Sequence, residues 1–260
     1  MRLLTFLMFS LFVNLSLIAQ TDARSAELLQ NLETTIGSWS DLAKLQDVQF
    51  TYTYESKGAG TDISTERYIF DNEASWAHYT QHEVNVMPGT EGEVTQLYME
   101  GKAALTLNGE TVSNPEAIGG TEFLRAANYY WFTMNYKLTD PGTNHEYLGT
   151  EEVNGISYEK VRLTFDGATT GKAQNDGYIL YFNPETHLID RFYFSLPAMG
   201  VEDIVILMEL DYEKIEGVYV STQRNIYMPS PSGEYQLGLI QTTENVRFNN
   251  GFGHSSLSLR

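Results

Sequence analysis

Residues 146–165 read EYLGTEEVNGISYEKVRLTF, and their pattern decides the fold. Asn154-Gly155 lies between two arms rich in aromatic and β-branched residues, and both turn residues tolerate the positive φ that a two-residue hairpin demands. Within the second arm the apolar positions switch from even, at Ile156 and Tyr158, to odd, at Val161, Leu163 and Phe165. That change of parity predicts a β-bulge near Glu159-Lys160, and a bulge bends the sheet that carries it.

Outward from this hairpin the chain keeps the same period. YILYF and HLIDRFYF flank the turn Asn183-Pro184-Glu185-Thr186, DIVILMELDY turns at Ile215–Gly217 into VYVSTQRNIYM, and EYQLGLIQ and ENVRF follow. Upstream, Val48, Phe50, Tyr52 and Tyr54 alternate with polar residues, and further runs cover 66–70, 75–80, 94–99 and 102–107. The connections are short, so neighbours are antiparallel, and the expected total is about eleven strands.

Two regions break the β pattern. Leu29, Leu32, Ile36 and Trp39 recur at helical spacing from Asp22 to Trp39, with Ser40 as the cap of a further short turn. Asn114-Pro115 and Thr121 start a second helical region through EFLRAANYYWFTM, with Phe123, Ala127, Tyr130 and Met134 on one stripe and Leu124 and Trp131 beside it. A helix apolar over nearly half its circumference is covered on more than one side.

Residues 1–19 have a positive start at Arg2, an apolar run and a small residue, Ala19, before Gln20. They read as a signal peptide, with a second small-residue site at Ala23, and residues 20–260 as a single domain. No cysteine occurs in the chain, which excludes disulfides, a thiol nucleophile and a lipid-modified N-terminal cysteine. The formal net charge is −18, so the surface repels nucleic acid and anionic headgroups. No later segment has the ~20 continuous apolar residues of a membrane span.

The phrases YYWFTMNYKLTDPG, EYLGTEEVNGISYEKVRLTF, YILYFNPETHLIDRFYF and LDYEKIEGVYVSTQRNIYM, between Tyr130 and Arg260, resemble an uncharacterised family of exported bacterial proteins with a domain of unknown function. At greater distance, YIFDNEASWAHY, the FNPETHLIDR hairpin and a late DY-x4-G-x3-S segment are similar to periplasmic lipoprotein carriers of the LolA and LolB type. That resemblance implies an α+β, mainly β fold: a strongly curved antiparallel sheet, an incomplete β-barrel, with two helical regions packed on its concave side and an apolar cleft between. The carriers' proline after the second strand is replaced here by DNEA. Their latch arginine has no clear counterpart; Arg67 lies in the corresponding strand but reads as a surface salt bridge.

Catalytic chemistry is not assembled by the sequence. The five histidines are scattered, no G-x-S-x-G occurs, and Ser255-Ser256 follow His254 in a tail expected to be mobile. His78 and His82 share parity on an extended segment, roughly 13 Å apart at ~3.3 Å per residue, too far to share a metal directly. Glu151-Glu152 and Glu91 with Glu93 lack calcium-loop spacing, and Gly58-Ala59-Gly60 and Gly251-Phe252-Gly253 lack the context of phosphate loops. No cofactor, metal site or enzymatic activity is expected.

The remaining candidates are apolar: Phe50, Tyr52, Tyr68, Phe70, Trp76, Trp131, Phe132, Met134, Phe192, Phe194, Ile206 and Met208. Aromatic and methionine side chains suit a non-directional, lipid-like ligand, whose burial contributes about 25 cal/mol per Å². The sequence therefore points to a soluble envelope protein, periplasmic or secreted, that binds a lipid, acyl chain or lipidated protein without chemistry. The alternative is an envelope interaction or assembly module with a fully packed core and a protein partner.

Overall fold

The computed structural model describes residues 21–171 and 174–259; the signal-peptide reading of 1–19 lies outside them. Among the described residues, thirteen strands form one antiparallel sheet. In chain order they are β1 Asp47–Ser56, β2 Gly60–Ile69, β3 Ala74–His82, β4 Val94–Met99, β5 Lys102–Leu107, β6 Glu110–Thr111, β7 Thr143–Val153, β8 Ile156–Phe165, β9 Tyr178–Phe182, β10 Ile189–Leu196, β11 Val201–Ile215, β12 Val218–Pro229 and β13 Tyr235–Phe248. The expected count was about eleven; EYQLGLIQ and ENVRF are one strand, β13, while β6 is a two-residue addition at the edge.

The spatial order is β6-β5-β4-β3-β2-β1-β13-β12-β11-β10-β9-β8-β7. The chain therefore starts in the middle of the sheet, meanders to one edge, crosses to the other and meanders back until β13 pairs with β1. The crossing is made by helix α3, Pro115–Lys137. It is one continuous helix, capped by Asn114, whose Oδ1 accepts from the amides of Glu116 and Ala117. Thr121, expected as a cap, lies inside it and donates to Ala117 O.

The first helical region is split. Helix α1, Ala23–Ile36, ends at Gly37 with φ 93°, a conformation that glycine adopts without strain. Helix α2, Trp39–Ala43, follows, capped by Ser38 rather than Ser40, in a capping box with Asp41. Leu28, Leu29, Leu32 and Ile36 of α1 join the same core as the inner face of the sheet.

The Asn154-Gly155 turn has φ values of 53° and 83°, as the hairpin reading requires. The bulge, however, lies on the partner strand: the β7–β8 register shifts between Tyr147 and Gly149, opposite Val161 and Lys160. Strand β8 alternates without interruption. Val161 and Leu163 face the helices beside Leu180 and Tyr178, whereas Tyr158 packs edge-on against Tyr181 on the outer face. The parity switch thus records a strand buried on opposite faces at its two ends.

The outer face carries its own small core, Ile69, Ala74, Trp76 and Leu257, closed by the C-terminal tail. Asp47, fully buried, accepts from the amides of Asn250, Gly251 and Phe252. Trp76 Nε1 donates to Ser258 O and Thr106 Oγ1 to Leu259 O. The tail expected to be mobile is fastened along the sheet.

Edge strand β7 is partly covered by the start of α1. Asp22 caps that helix through the amides of Arg24 and Ser25 and also accepts from Tyr147 N, 2.6 Å away. The Ser25 amide and these companions hold its carboxyl at about 2. Buried His145 bonds Leu138 O through Nε2 at 2.9 Å, so the network assigns Nδ1 as the acceptor for Thr21 Oγ1 at 3.0 Å. Burial keeps this imidazole below its ordinary 6.5. Its contribution to stability is complete above pH 6.5 and is lost as pH falls through the depressed native value. Urea unfolding between pH 7 and pH 5 is expected to show declining stability in the wild type and a flatter profile in H145Q; equal slopes would refute the assignment.

Candidate functional site

Register determines which side chains face α3. In β1, Val48, Phe50 and Tyr52 point inward; in β2, Ser64, Glu66 and Tyr68 do so opposite Tyr79, Ala77 and Ser75 of β3. On the far half, Phe192 and Phe194 of β10 stand opposite Met208 and Ile206 of β11. Helix α3 meets these residues through its middle. Phe132 stacks on Phe50 with ring centres 5.0 Å apart, and Trp131 stacks on Phe192 at 5.7 Å.

Eleven of the twelve expected site residues belong to this one inner layer. Trp76 does not: it pairs with Arg67 on the outer face. There Arg67 lies between the Trp76 and Phe252 rings, 4.6 and 4.7 Å from their centres, and donates to Gln49 Oε1. Arg67 is a cation–π sandwich, not a salt bridge. Phe123, expected on the buried stripe of α3, is 42% exposed. Met134 of that stripe is buried as expected, and the other buried positions of the helix are Thr121, Arg125, Asn128, Tyr129, Thr133 and Tyr136.

The first half of α3 is anchored by a polar cluster that the apolar pattern concealed. Arg125 and Glu66 are both fully buried and ion-paired. Glu66 also accepts from Ser64 Oγ and Tyr68 OH, each at 2.9 Å, and Arg125 Nη2 donates to Tyr79 OH at 2.5 Å. Burial opposes the Arg125 charge, but Glu66 outweighs it and the guanidinium is held above its ordinary range. Gln96 Nε2 donates to Thr121 one turn earlier. A lone arginine in EFLRAANYYW, two residues from Phe123 and from Ala127 of the expected stripe, offered no sign of a partner 59 positions away.

The second half of α3 overlies a different surface. Trp131, Phe192, Met208, Leu210, Tyr212 and Arg224 are among the residues around a cavity of about 20 Å³, room for a single water. Arg224, on β12 and 3% exposed, donates through Nη2 to Trp131 O at 3.1 Å. No salt bridge is formed by it among the described residues, and burial depresses its pKa. A larger open groove of about 360 Å³ lies between the end of β3, Thr80–His82 with Glu83, and the loop residues Gly89–Gly92.

The dispersed histidines have local duties. His78 bonds Thr95 Oγ1, and His82 bonds Val86 O and Gly92 O through its two nitrogens. They do not share a face as their spacing implied, because a register shift in the β2–β3 pairing separates them: His78 stands opposite Thr65 and His82 opposite Asp62.

Over residues 118–201 the chain matches the model of a family of unknown function, DUF6503. This span contains three of the four phrases that carried the resemblance, ending before LDYEKIEGVYVSTQRNIYM. Among solved structures it is similar to a DUF1329 family protein from Desulfovibrio piger, at 16% identity and a TM-score of 0.52 over 89% of this chain and 97% of that one. It is also similar to a LolA superfamily protein from Nitrosomonas europaea, at 11% identity and a TM-score of 0.51 over 90% and 96%. No curated protein matches the chain. The fold is LolA-like: an open, curved antiparallel sheet with helices on its inner face.

Removing one member of a buried ion pair leaves the other charge uncompensated, whereas removing both does not. R125M is expected to lower the unfolding free energy by about 3–5 kcal/mol, and E66L/R125M to recover most of that loss. Urea titrations that found the double variant as unstable as the single one would contradict this account of the anchor.

Proposed function

We propose that this protein holds an apolar ligand, a lipid, acyl chain or lipidated protein, between α3 and the inner face of its sheet, outside the cytoplasm and without catalysis. The inner layer of Phe50, Phe132, Trp131, Phe192 and Met208 supplies a non-directional apolar surface. No helix among the described residues is long and apolar enough to cross a membrane. The LolA-like fold is in keeping with carriage, and one solved relative belongs to the LolA superfamily.

One observation carries the reading. Among the described residues, buried polar atoms without a partner concentrate where α3 meets the sheet: Arg125 Nε, Asn128 Nδ2 and Tyr129 OH on the helix, and Gln96 Oε1, Gln241 Oε1 and Thr243 Oγ1 on the inner face. Permanent cores leave few such groups, because each costs about 1–3 kcal/mol. Among the described residues this interface holds most of the unpartnered buried polar atoms, and beyond the Arg125 anchor its middle separates at low expense. With a cavity of only about 20 Å³, an acyl chain enters by displacing the middle of α3 from the aromatic layer.

Because the chain has no cysteine, a single M134C substitution reports that movement. Met134 lines the cavity and is 4% exposed, so its thiol is expected to label slowly, and faster as the hydrophobic probe N-phenyl-1-naphthylamine saturates the protein. Native mass spectrometry of gently purified material is expected to show a bound lipid mass. Protein that carries no lipid and binds no probe would defeat the proposal.

A further inference from the structure

Arg224 is the one feature of the inner face that an apolar ligand alone does not explain. Its neighbours are neutral. Leu210 and Gln241 stand opposite it on β11 and β13, and Asn135, Tyr212, Tyr219 and Ser221 share its cavity. Burial pushes the hydroxyls of Tyr52 and Tyr212 above the ordinary tyrosine range, so neither supplies a negative charge near neutral pH. The only hydrogen bond it makes among the described residues is to a backbone carbonyl, Trp131 O. Beside it, Gln241 Oε1 and Thr243 Oγ1 are buried without partners.

The contrast with Arg125 is direct. Both arginines are buried between α3 and the sheet, Arg125 on the helix and Arg224 on β12, yet Arg125 has Glu66 and three hydroxyl-bearing neighbours around the pair, whereas Arg224 has no acid partner among the described residues. A guanidinium out of water and unpaired is costly, and its planar fork matches a carboxylate or phosphate in two parallel bonds. The cation also sits at the wall of a cavity whose other side is Trp131, Phe192 and Met208, so charge and apolar surface meet in one place.

We infer that the ligand of this cleft is an anionic amphiphile whose oxygen-bearing head pairs with Arg224 while its alkyl chain lies along the aromatic and methionine layer. This rests on the cleft reading proposed above and narrows it from apolar ligands in general to those with a negative head. Ser221, on the same cavity wall, can turn its hydroxyl from its long 3.4 Å bond to Gln223 O toward a remaining head oxygen, whereas Tyr212 OH is already committed as a donor to Ile189 O.

The test compares cis-parinaric acid with its methyl ester, which share one chain and differ in head charge, on the full chain by fluorescence titration. The acid is expected to bind at least tenfold more tightly than the ester, and R224Q to bring the two together by weakening the acid alone. Q241E places a carboxylate directly across from Arg224 and is expected to abolish the preference while keeping the ester; it serves if R224Q does not fold. Displacement of the acid by oleate or by lysophosphatidic acid supports an anionic head of carboxylate or phosphate type respectively, and displacement by neither refutes it. Equal binding of acid and ester by the wild type, or a preference that persists in R224Q and Q241E, overturns the inference and leaves the cleft standing. Binding of neither probe overturns both.

Discussion

The structure depends on one topological constraint: the first and last strands, β1 and β13, are neighbours in the middle of the sheet. A chain that begins there and meanders outward must return from the opposite edge, and α3 is the link between β6 and β7. Its 23 residues span roughly 35 Å at 1.5 Å per residue, enough to cross the inner face rather than skirt it. The crossing helix is consequently a cover. Whatever the inner face binds must contend with α3, and whatever loosens α3 exposes the largest apolar layer in the molecule.

Much of this was legible in the residues because period and parity are local signals. The hairpin at Asn154-Gly155, the Asn114 cap, the helix-then-sheet order and the inward set on β1 all follow from alternation and turn chemistry. What failed did so where two faces compete for burial. Trp76 is as apolar as its neighbours, and only the tail, fastened through Asp47, gives the outer face a core to bury it in. The same competition turned an uninterrupted β8 into an apparent bulge, since Tyr158 is buried outward and Val161 inward. Alternation identifies which residues share a face; it does not say which face is covered.

The helix α3 misled for a related reason. Its buried stripe is largely polar, Thr121, Arg125, Asn128 and Thr133 with tyrosines, while Phe123 points to solvent. Hydrophobic patterning assumes that the inward face is the greasy one, and here the inward face is built to bond. Arg125 and Thr121 find partners in Glu66 and Gln96; Asn128 and Tyr129 each leave a group unbonded among the described residues. One end of the helix is thereby specified by directional contacts, and the middle is held by ring stacking and a single Arg224 bond to its backbone.

That division has a physical consequence for how the inner face can change state. Stacked rings resist separation weakly once other apolar surface is offered, because dispersion and hydrophobic burial are recovered against any alkyl chain. The Arg125–Glu66 pair recovers nothing when opened, since no lipid replaces a carboxylate held by two hydroxyls and a guanidinium. At the far end, Lys137 is paired with Glu73 and Asp140 and lies over the Trp39 ring, and Tyr136 OH donates to Ile36 O. On the proposed reading, a helix fixed at both ends and exchangeable in between would yield by bowing at Trp131–Phe132 rather than by swinging away. That segment is the one that lies against Arg224, so a ligand admitted there would first meet a cation with no acid partner among the described residues.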